Sequence, residues 1–124
     1  MTPRGIVLFA HGSRDPLWRR PVEAVAGRIH ALDPQVSVTC AYLELTDPDL
    51  PTAVAELVQS GALAITVLPM FLGVGKHARE DLPVLVTRLR ASHPQVVFTL
   101  PPAVGEDARL LDLLAHIALN PAPV

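Results

Sequence analysis

The sequence predicts an α/β fold, namely a flavodoxin-like sheet of four parallel strands in the order 2-1-3-4 with helices on both of its faces. Short apolar runs alternate along the chain with longer segments in which apolar residues recur at helical spacing. The short runs are apolar throughout, as is typical of strands that are covered on both faces. Because parallel strands are joined by right-handed crossovers, few topologies remain, and the order 2-1-3-4 is the one we expect.

Four apolar runs are the expected strands, at residues 5–10, 36–43, 62–70 and 95–100. The segments that follow them are expected to be helical, over residues 17–32, within 44–61, from the 71–81 loop to 93, and over 104–119. In the first helix, four apolar residues follow the i, i+3, i+4, i+7 pattern of a helical stripe: Val22, Val25, Ala26 and Ile29. Asp33-Pro34 ends that helix, and Gly61 ends the second one.

The composition predicts one folded domain, residues 1–124, of a protein that binds neither nucleic acid nor a membrane. The chain has 124 residues, of which 50% are hydrophobic, and a formal net charge of −2. This length suits one core, and a nucleic-acid or membrane surface would be basic. The single cysteine, Cys40, excludes an internal disulfide and a cysteine-rich zinc site. The first apolar run is too short for a signal sequence or a membrane span, so we expect a soluble cytoplasmic protein.

The hydropathy of the chain predicts a contact with another subunit. The mean hydropathy is +0.37, which is high for a domain of this size. Small domains cannot bury all of the apolar surface that they carry. We therefore expect part of that surface to meet a second subunit.

Two histidines and a glutamate stand where three of the expected strands end. His11 directly follows the first strand, Glu44 ends the second, and His77 lies in the loop after the third. Ligands of open parallel sheets bind beyond the carboxyl ends of the strands, where the strand order reverses, which here is between strands one and three. Neutral imidazole and carboxylate are suitable ligands for divalent transition metals. A structural zinc site is closed by four protein ligands, whereas three ligands leave coordination positions open. We therefore expect a metal that takes part in a reaction or is passed on to another molecule.

The same edge of the sheet carries positive charge. Arg14, Lys76 and Arg79 would make it attractive to anions such as carboxylates, although ordinary surface charge explains them equally well. Neither G-x-x-x-x-G-K-[ST] nor G-x-G-x-x-G occurs in the sequence, so we expect no nucleotide cofactor.

Three motifs together resemble those of the short sirohydrochlorin chelatases, the CbiX type. They are FAHGSRDP after the first strand, YLEL after the second and PMFLGVGKHAREDLP after the third. The resemblance runs from Gly5 to about the last helix. It implies a flavodoxin-like chelatase fold, a homodimer, and a lyase that inserts a divalent metal into sirohydrochlorin for cobalamin or sirohaem synthesis. It also implies that His11 and His77 bind the metal and that Glu44 is the family's glutamate.

The resemblance gives the remaining residues expected roles. A tetrapyrrole loses two N–H protons as the metal enters, and Glu44 or a histidine is the candidate base. Because sirohydrochlorin is a polycarboxylate, Arg14, Lys76 and Arg79 are expected to bind its carboxylates, and Ser13 is expected to add a hydrogen bond. The metal is a substrate; Co²⁺ is favoured, and Fe²⁺ and Ni²⁺ accept the same ligands.

Two other functions are compatible with parts of this pattern. A non-catalytic module that binds a metal or a tetrapyrrole would use the same site without turnover. AHGSR also has some similarity to the R-H-G of histidine phosphatases, but Ala10 stands where those enzymes have arginine.

Overall fold

The computed structural model describes residues 2–123. Its strands are β1 (Arg4–Ala10), β2 (Ser37–Tyr42), β3 (Ala64–Pro69) and β4 (Val97–Thr99). Its α-helices are α1 (Arg20–Leu32), α2 (Leu50–Gln59), α3 (Lys76–Ser92) and α4 (Ala108–Leu119). A short 3₁₀ helix, here called η1 (Val104–Glu106), precedes α4. No helix in this described part of the chain combines the length and hydrophobicity that a membrane span requires.

The strands form one parallel sheet in the order β2-β1-β3-β4, which confirms the predicted fold class and topology. In the register, Ala10 pairs with Tyr42, and Phe9 pairs with Pro69. The carboxyl ends of β1, β2 and β3 therefore lie together at one edge of the sheet.

The predicted elements differ from the observed ones mainly at their ends. β4 covers Val97–Thr99 rather than residues 95–100. The last helix, expected to begin at residue 104, is divided into η1 and α4. The division follows from Asp107, whose side chain accepts a hydrogen bond from the Arg109 N–H and caps α4.

The main core lies between the sheet and the helices α2 and α3. Val7 and Val67 of the sheet pack there with Val54 of α2 and Val86 of α3, and all four are fully buried. Burial of each such side chain stabilises the fold by roughly 1.5–3 kcal/mol. A smaller core on the opposite face joins Leu8 and other sheet residues to α1. These two cores fix the sheet edge from both sides.

The α1 face of the sheet is only partly covered. Along β3, residues that face α2 and α3 are buried, whereas the alternate ones are half-buried. Next to them on β4, Val97 is 67% exposed. None of the residues of α4 is buried, and among the elements of residues 2–123 its main contact is with η1. An open strip, defined as Thr66, Leu68, Val97 and Thr99, therefore remains on this face.

Candidate functional site

The ends of β1 and β2 continue side by side beyond the sheet. The Leu43 N–H donates to the Ala10 carbonyl at 2.9 Å, and the Glu44 N–H donates to the His11 carbonyl at 3.1 Å. These bonds extend the pairing of the two strands by two residues. They bring Glu44 beside His11, although 33 positions separate them in the sequence.

The side chains of His11 and Glu44 are joined directly. Nε2 of His11 lies 2.9 Å from Oε1 of Glu44, and the side chains are 56% and 55% exposed. Because a carboxylate can only accept, Nε2 carries the hydrogen of this bond, and Nδ1 of a neutral imidazole keeps its lone pair. A pair this exposed adds at most about 1 kcal/mol to stability, so it can open at little cost to the fold.

A glycine makes this approach possible. Gly12 has a φ of +107°, and a Cβ at this position would overlap the carbonyl oxygen of Glu44. Glycine alone satisfies both the conformation and the space. On the other side, Leu45 has a φ of +69°, and the Pro48 carbonyl accepts from the Tyr42 N–H at 2.9 Å. The Glu44 turn is therefore held at both ends.

The residues after His11 form a small turn of their own. Oγ of Ser13 accepts a hydrogen bond from the Asp15 N–H at 3.1 Å, and the Asp15 carboxylate accepts from the Leu17 N–H at 2.9 Å. The Ser13 O–H can still donate to a ligand. Arg14 is exposed beside it. Asp15 was not among the predicted site residues, and the S-x-D spacing was the signal for its role in the turn.

His77 occupies the first turn of α3 rather than the preceding loop. The helix begins at Lys76, and its N-cap is Gly75, whose backbone is extended. Lys76, His77 and Arg79 are all exposed. The helix N-terminus has free N–H groups and a positive dipole end, so this turn favours a negatively charged ligand.

The structure brings together two of the three predicted metal ligands. Within residues 2–123, no group of three or more His, Cys, Asp or Glu side chains is arranged to hold a metal ion. His11 contacts Glu44. A contact of His77 with either residue is not among those observed in this part of the chain, so the three-residue ligand set stays a prediction.

Two polar groups near the site are not suitable bases. Burial first, and then the nearby Cys40 and Glu23, raise the pKa of Tyr42 to about 12. Burial is also the main cause of the raised pKa of the Cys40 thiol. Both groups therefore keep their protons at neutral pH.

A mostly apolar cavity is lined in part by sequence neighbours of His11 and Glu44. Its volume is about 450 Å³, and it lies between α2 and α3 with Phe9 and Leu43 in its lining. Phe9 is two residues before His11, and Leu43 directly precedes Glu44. Arg88 adds one positive charge to the same lining, and Asp49 and Asp81 add two negative charges. No sequence pattern indicates this cavity, because α2 and α3 approach one another only in the fold.

Comparison with known proteins identifies the family. A family model described as CbiX matches residues 5–118. The chain is 32% identical over 124 residues to a sirohydrochlorin cobaltochelatase of Methanococcoides burtonii, covering 94% of this chain and 95% of that protein. It is 36% identical to the sirohydrochlorin cobaltochelatase of Methanopyrus kandleri over 78 residues, which is 63% of this chain and 54% of the relative. The chain thus spans about half the length of several curated relatives that it matches.

A solved structure shows the same architecture. The crystal structure of a putative cobalamin biosynthesis CbiX protein from Marinobacter aquaeolei aligns with a TM-score of 0.80 and 33% sequence identity. The alignment covers 94% of this chain and 95% of the other. Fold, motif positions and family model agree, and the chain belongs to the CbiX family.

Proposed function

We propose that this protein inserts a divalent metal ion into sirohydrochlorin. The observation that carries the proposal is the His11–Glu44 pair, 2.9 Å apart, at the sheet edge of a CbiX family member. Relatives that match most of this chain are named sirohydrochlorin cobaltochelatases. In the reaction, the metal forms bonds to the pyrrole nitrogens, and two protons leave the macrocycle.

In this proposal, His11 and His77 hold the incoming metal, and Glu44 assists. The His11 side chain is more than half exposed, and its Nδ1 can accept a metal without any change in the bond of Nε2 to Glu44. Alternatively, opening of that bond frees Nε2 and the carboxylate together. His77 would join through movement of its exposed side chain. Co²⁺ is the favoured substrate metal, and Fe²⁺ and Ni²⁺ suit the same donors.

Glu44 is the proposed acceptor of the pyrrole protons. Its carboxylate is in contact with His11 and more than half exposed, so it can pass each proton on to water. A histidine of the site is the other candidate base. Tyr42 and Cys40 are poor candidates because burial raises their pKa values.

The proposed substrate contacts lie on the two turns that flank the proposed metal site. Ser13 and Arg14 follow β1, and Lys76 and Arg79 belong to the first turn of α3. All three cations are exposed and can bind carboxylates of the macrocycle. The cytoplasmic location expected from the sequence remains a prediction.

We also propose that the protein is a homodimer, and α4 supports this. Its exposed apolar side chains include Leu113, Leu114 and Ile117, and a cavity of about 370 Å³ lies between its first turn and Leu68 of the open strip. A second copy offers the same helix and the same strip. Packing α4 of each copy on the open strip of the other would cover both apolar surfaces with two-fold symmetry.

The proposal is tested by metal insertion into sirohydrochlorin under anaerobic conditions, with protein far below the substrate concentration and Co²⁺, Fe²⁺ or Ni²⁺ supplied in turn. The visible absorbance of the macrocycle reports insertion. We expect many turnovers with the wild type and loss of acceleration in His11→Ala and His77→Ala. His30→Ala is the matched control, because His30 is exposed on α1, away from the sheet edge. Insertion of one equivalent followed by arrest would instead indicate a binding module.

A further inference from the structure

The segment that carries His77 is held by three contacts at its start. The Met70 N–H donates to the Phe9 carbonyl at 2.7 Å, and the rings of Phe71 and Phe9 meet edge to face at 6.2 Å between centroids. On the other side, the Gly105 N–H donates to the Phe71 carbonyl at 3.0 Å. The segment is therefore tied to β1 at one side and to η1 at the other.

The contact with η1 is an approach of one backbone to another. A Cβ at Gly105 would overlap the carbonyl oxygen of Leu72 and would lie 2.7 Å from its Cα. Leu72 itself is 65% exposed, so its side chain does not anchor the segment. The absence of a side chain at position 105 is what allows η1 to approach.

The first turn of α3 lies close to this contact. Gly73 and Gly75 have no side chains that could restrain the connection to α3, and Gly75 is the N-cap. Across a cavity of about 140 Å³, Val74 and Ala78 face Ala103 of the η1 segment, which is buried. The η1 segment thus adjoins the turn that contains His77.

We propose that Gly105 is a positioning residue for His77. By keeping η1 against Phe71 and Leu72, it fixes the start of α3 and so the location of the His77 imidazole relative to His11. This inference rests on the proposed function, in which His77 binds the metal.

Gly105→Ala tests the proposal, with Gly73→Ala as the matched control. Both change one glycine near the same segment, but a Cβ at Gly73 would meet nothing within 4 Å. For Gly105→Ala we expect the KM for Co²⁺ to rise about tenfold or more, which is the usual effect of losing a residue that orients a metal ligand. The KM for sirohydrochlorin should rise less than the KM for Co²⁺, because Lys76 and Arg79 of the same turn are only part of the proposed carboxylate contacts. Gly73→Ala should resemble the wild type in both values. Equal rises of both KM values, or equal effects of the two substitutions, would overturn the proposal.

A double mutant separates positioning from general destabilisation. If Gly105 acts through His77, Gly105→Ala should add no further loss of Co²⁺ affinity in a His77→Ala background. Additive losses would show that Gly105 acts elsewhere. If His77→Ala alone leaves Co²⁺ affinity unchanged, the proposed ligand set fails together with this inference. If His77→Ala weakens binding and Gly105→Ala does not, this inference alone fails.

A second variant keeps the test decisive if Gly105→Ala does not fold. Replacing the Gly105 amide by an ester removes the donor to the Phe71 carbonyl and adds no atom. We expect the KM for Co²⁺ to rise about threefold, in keeping with the loss of one hydrogen bond. An ester variant that is folded and has the wild-type KM for Co²⁺ would contradict the proposal.

Discussion

Gly12 lies so close to Glu44 that a methyl group at position 12 would overlap the Glu44 carbonyl oxygen. This close approach places Glu44 beside His11, and it depends on the positive φ of Gly12. The geometry of the site therefore depends on this backbone contact as well as on the side chains of His11 and Glu44.

Gly12→Ala should lower both stability and metal insertion. Gly61→Ala is the matched control, because Gly61 also has a positive φ but a Cβ there would meet nothing within 4 Å. We expect the control to lose about 1–2 kcal/mol of unfolding free energy from backbone strain alone. Gly12→Ala should lose about 3 kcal/mol, since overlap adds to strain. Urea unfolding measures both values, and equal losses would argue against the overlap.

Glu44→Gln should slow metal insertion by about 100-fold, because the amide keeps the size of the side chain but cannot accept a proton as a carboxylate does. The measurement is kcat for Co²⁺ insertion at saturating metal and sirohydrochlorin. Glu56→Gln on α2 is the control, since Glu56 is exposed and outside the site. A near-normal kcat in Glu44→Gln would indicate that a histidine, and not Glu44, accepts the pyrrole protons.

The stability of the fold should fall at alkaline pH as Tyr42 ionises. Its pKa is raised from 10.0 to about 12 by burial first, then by Cys40 and Glu23, while Arg19 opposes the rise. The folded state therefore holds the phenol proton more tightly than the unfolded chain does. This contribution is fully present below pH 10 and is lost between about pH 10 and 12. Urea unfolding across this range measures the loss.

Tyr42→Phe supplies the control for the alkaline prediction. It should remove most of the pH dependence between these values, because the phenol no longer titrates. Since the chain has one tyrosine, ultraviolet absorbance of tyrosinate reports Tyr42 alone. A midpoint near 10 in the folded protein would contradict the raised pKa.

Ile117→Glu should convert the proposed dimer to monomers. Ile117 is 50% exposed on α4, and burying a new carboxylate in an interface is strongly unfavourable. Sedimentation equilibrium measures the mass. Leu32→Glu is the control, because Leu32 is an exposed leucine at the end of α1. A wild-type protein that is monomeric at all concentrations would contradict the proposed dimer.

Much of the fold could be predicted because its signals are local. The strands are continuous apolar runs, and right-handed crossovers leave the order 2-1-3-4 as the simplest arrangement. The meeting of His11 and Glu44 follows from the parallel pairing of β1 and β2, since both residues come just after a strand end. These features depend on chain direction and hydrophobic pattern alone.

Other features depend on distances that a sequence pattern does not contain. The helical spacing of α4 predicts an apolar face, but it does not say which surface covers that face. The close approach of Gly105 to Leu72 arises between segments more than thirty residues apart. The start of α3 at Lys76 depends on the extended backbone of Gly75, so His77 is helical where a loop was expected.

If the His11–Glu44 pair holds the metal as proposed, its openness has a consequence for metal discrimination. Both side chains are more than half exposed, so hydrated ions of any divalent transition metal reach them without a filter of burial or size. Imidazole and carboxylate donors rank such ions by intrinsic affinity, with copper ahead of nickel, cobalt and iron. Competing ions would therefore be excluded by the macrocycle and by the concentrations of free metals around the protein, and not by the His11–Glu44 pair. On this view, the same site would serve different metals in cells that maintain different metal pools.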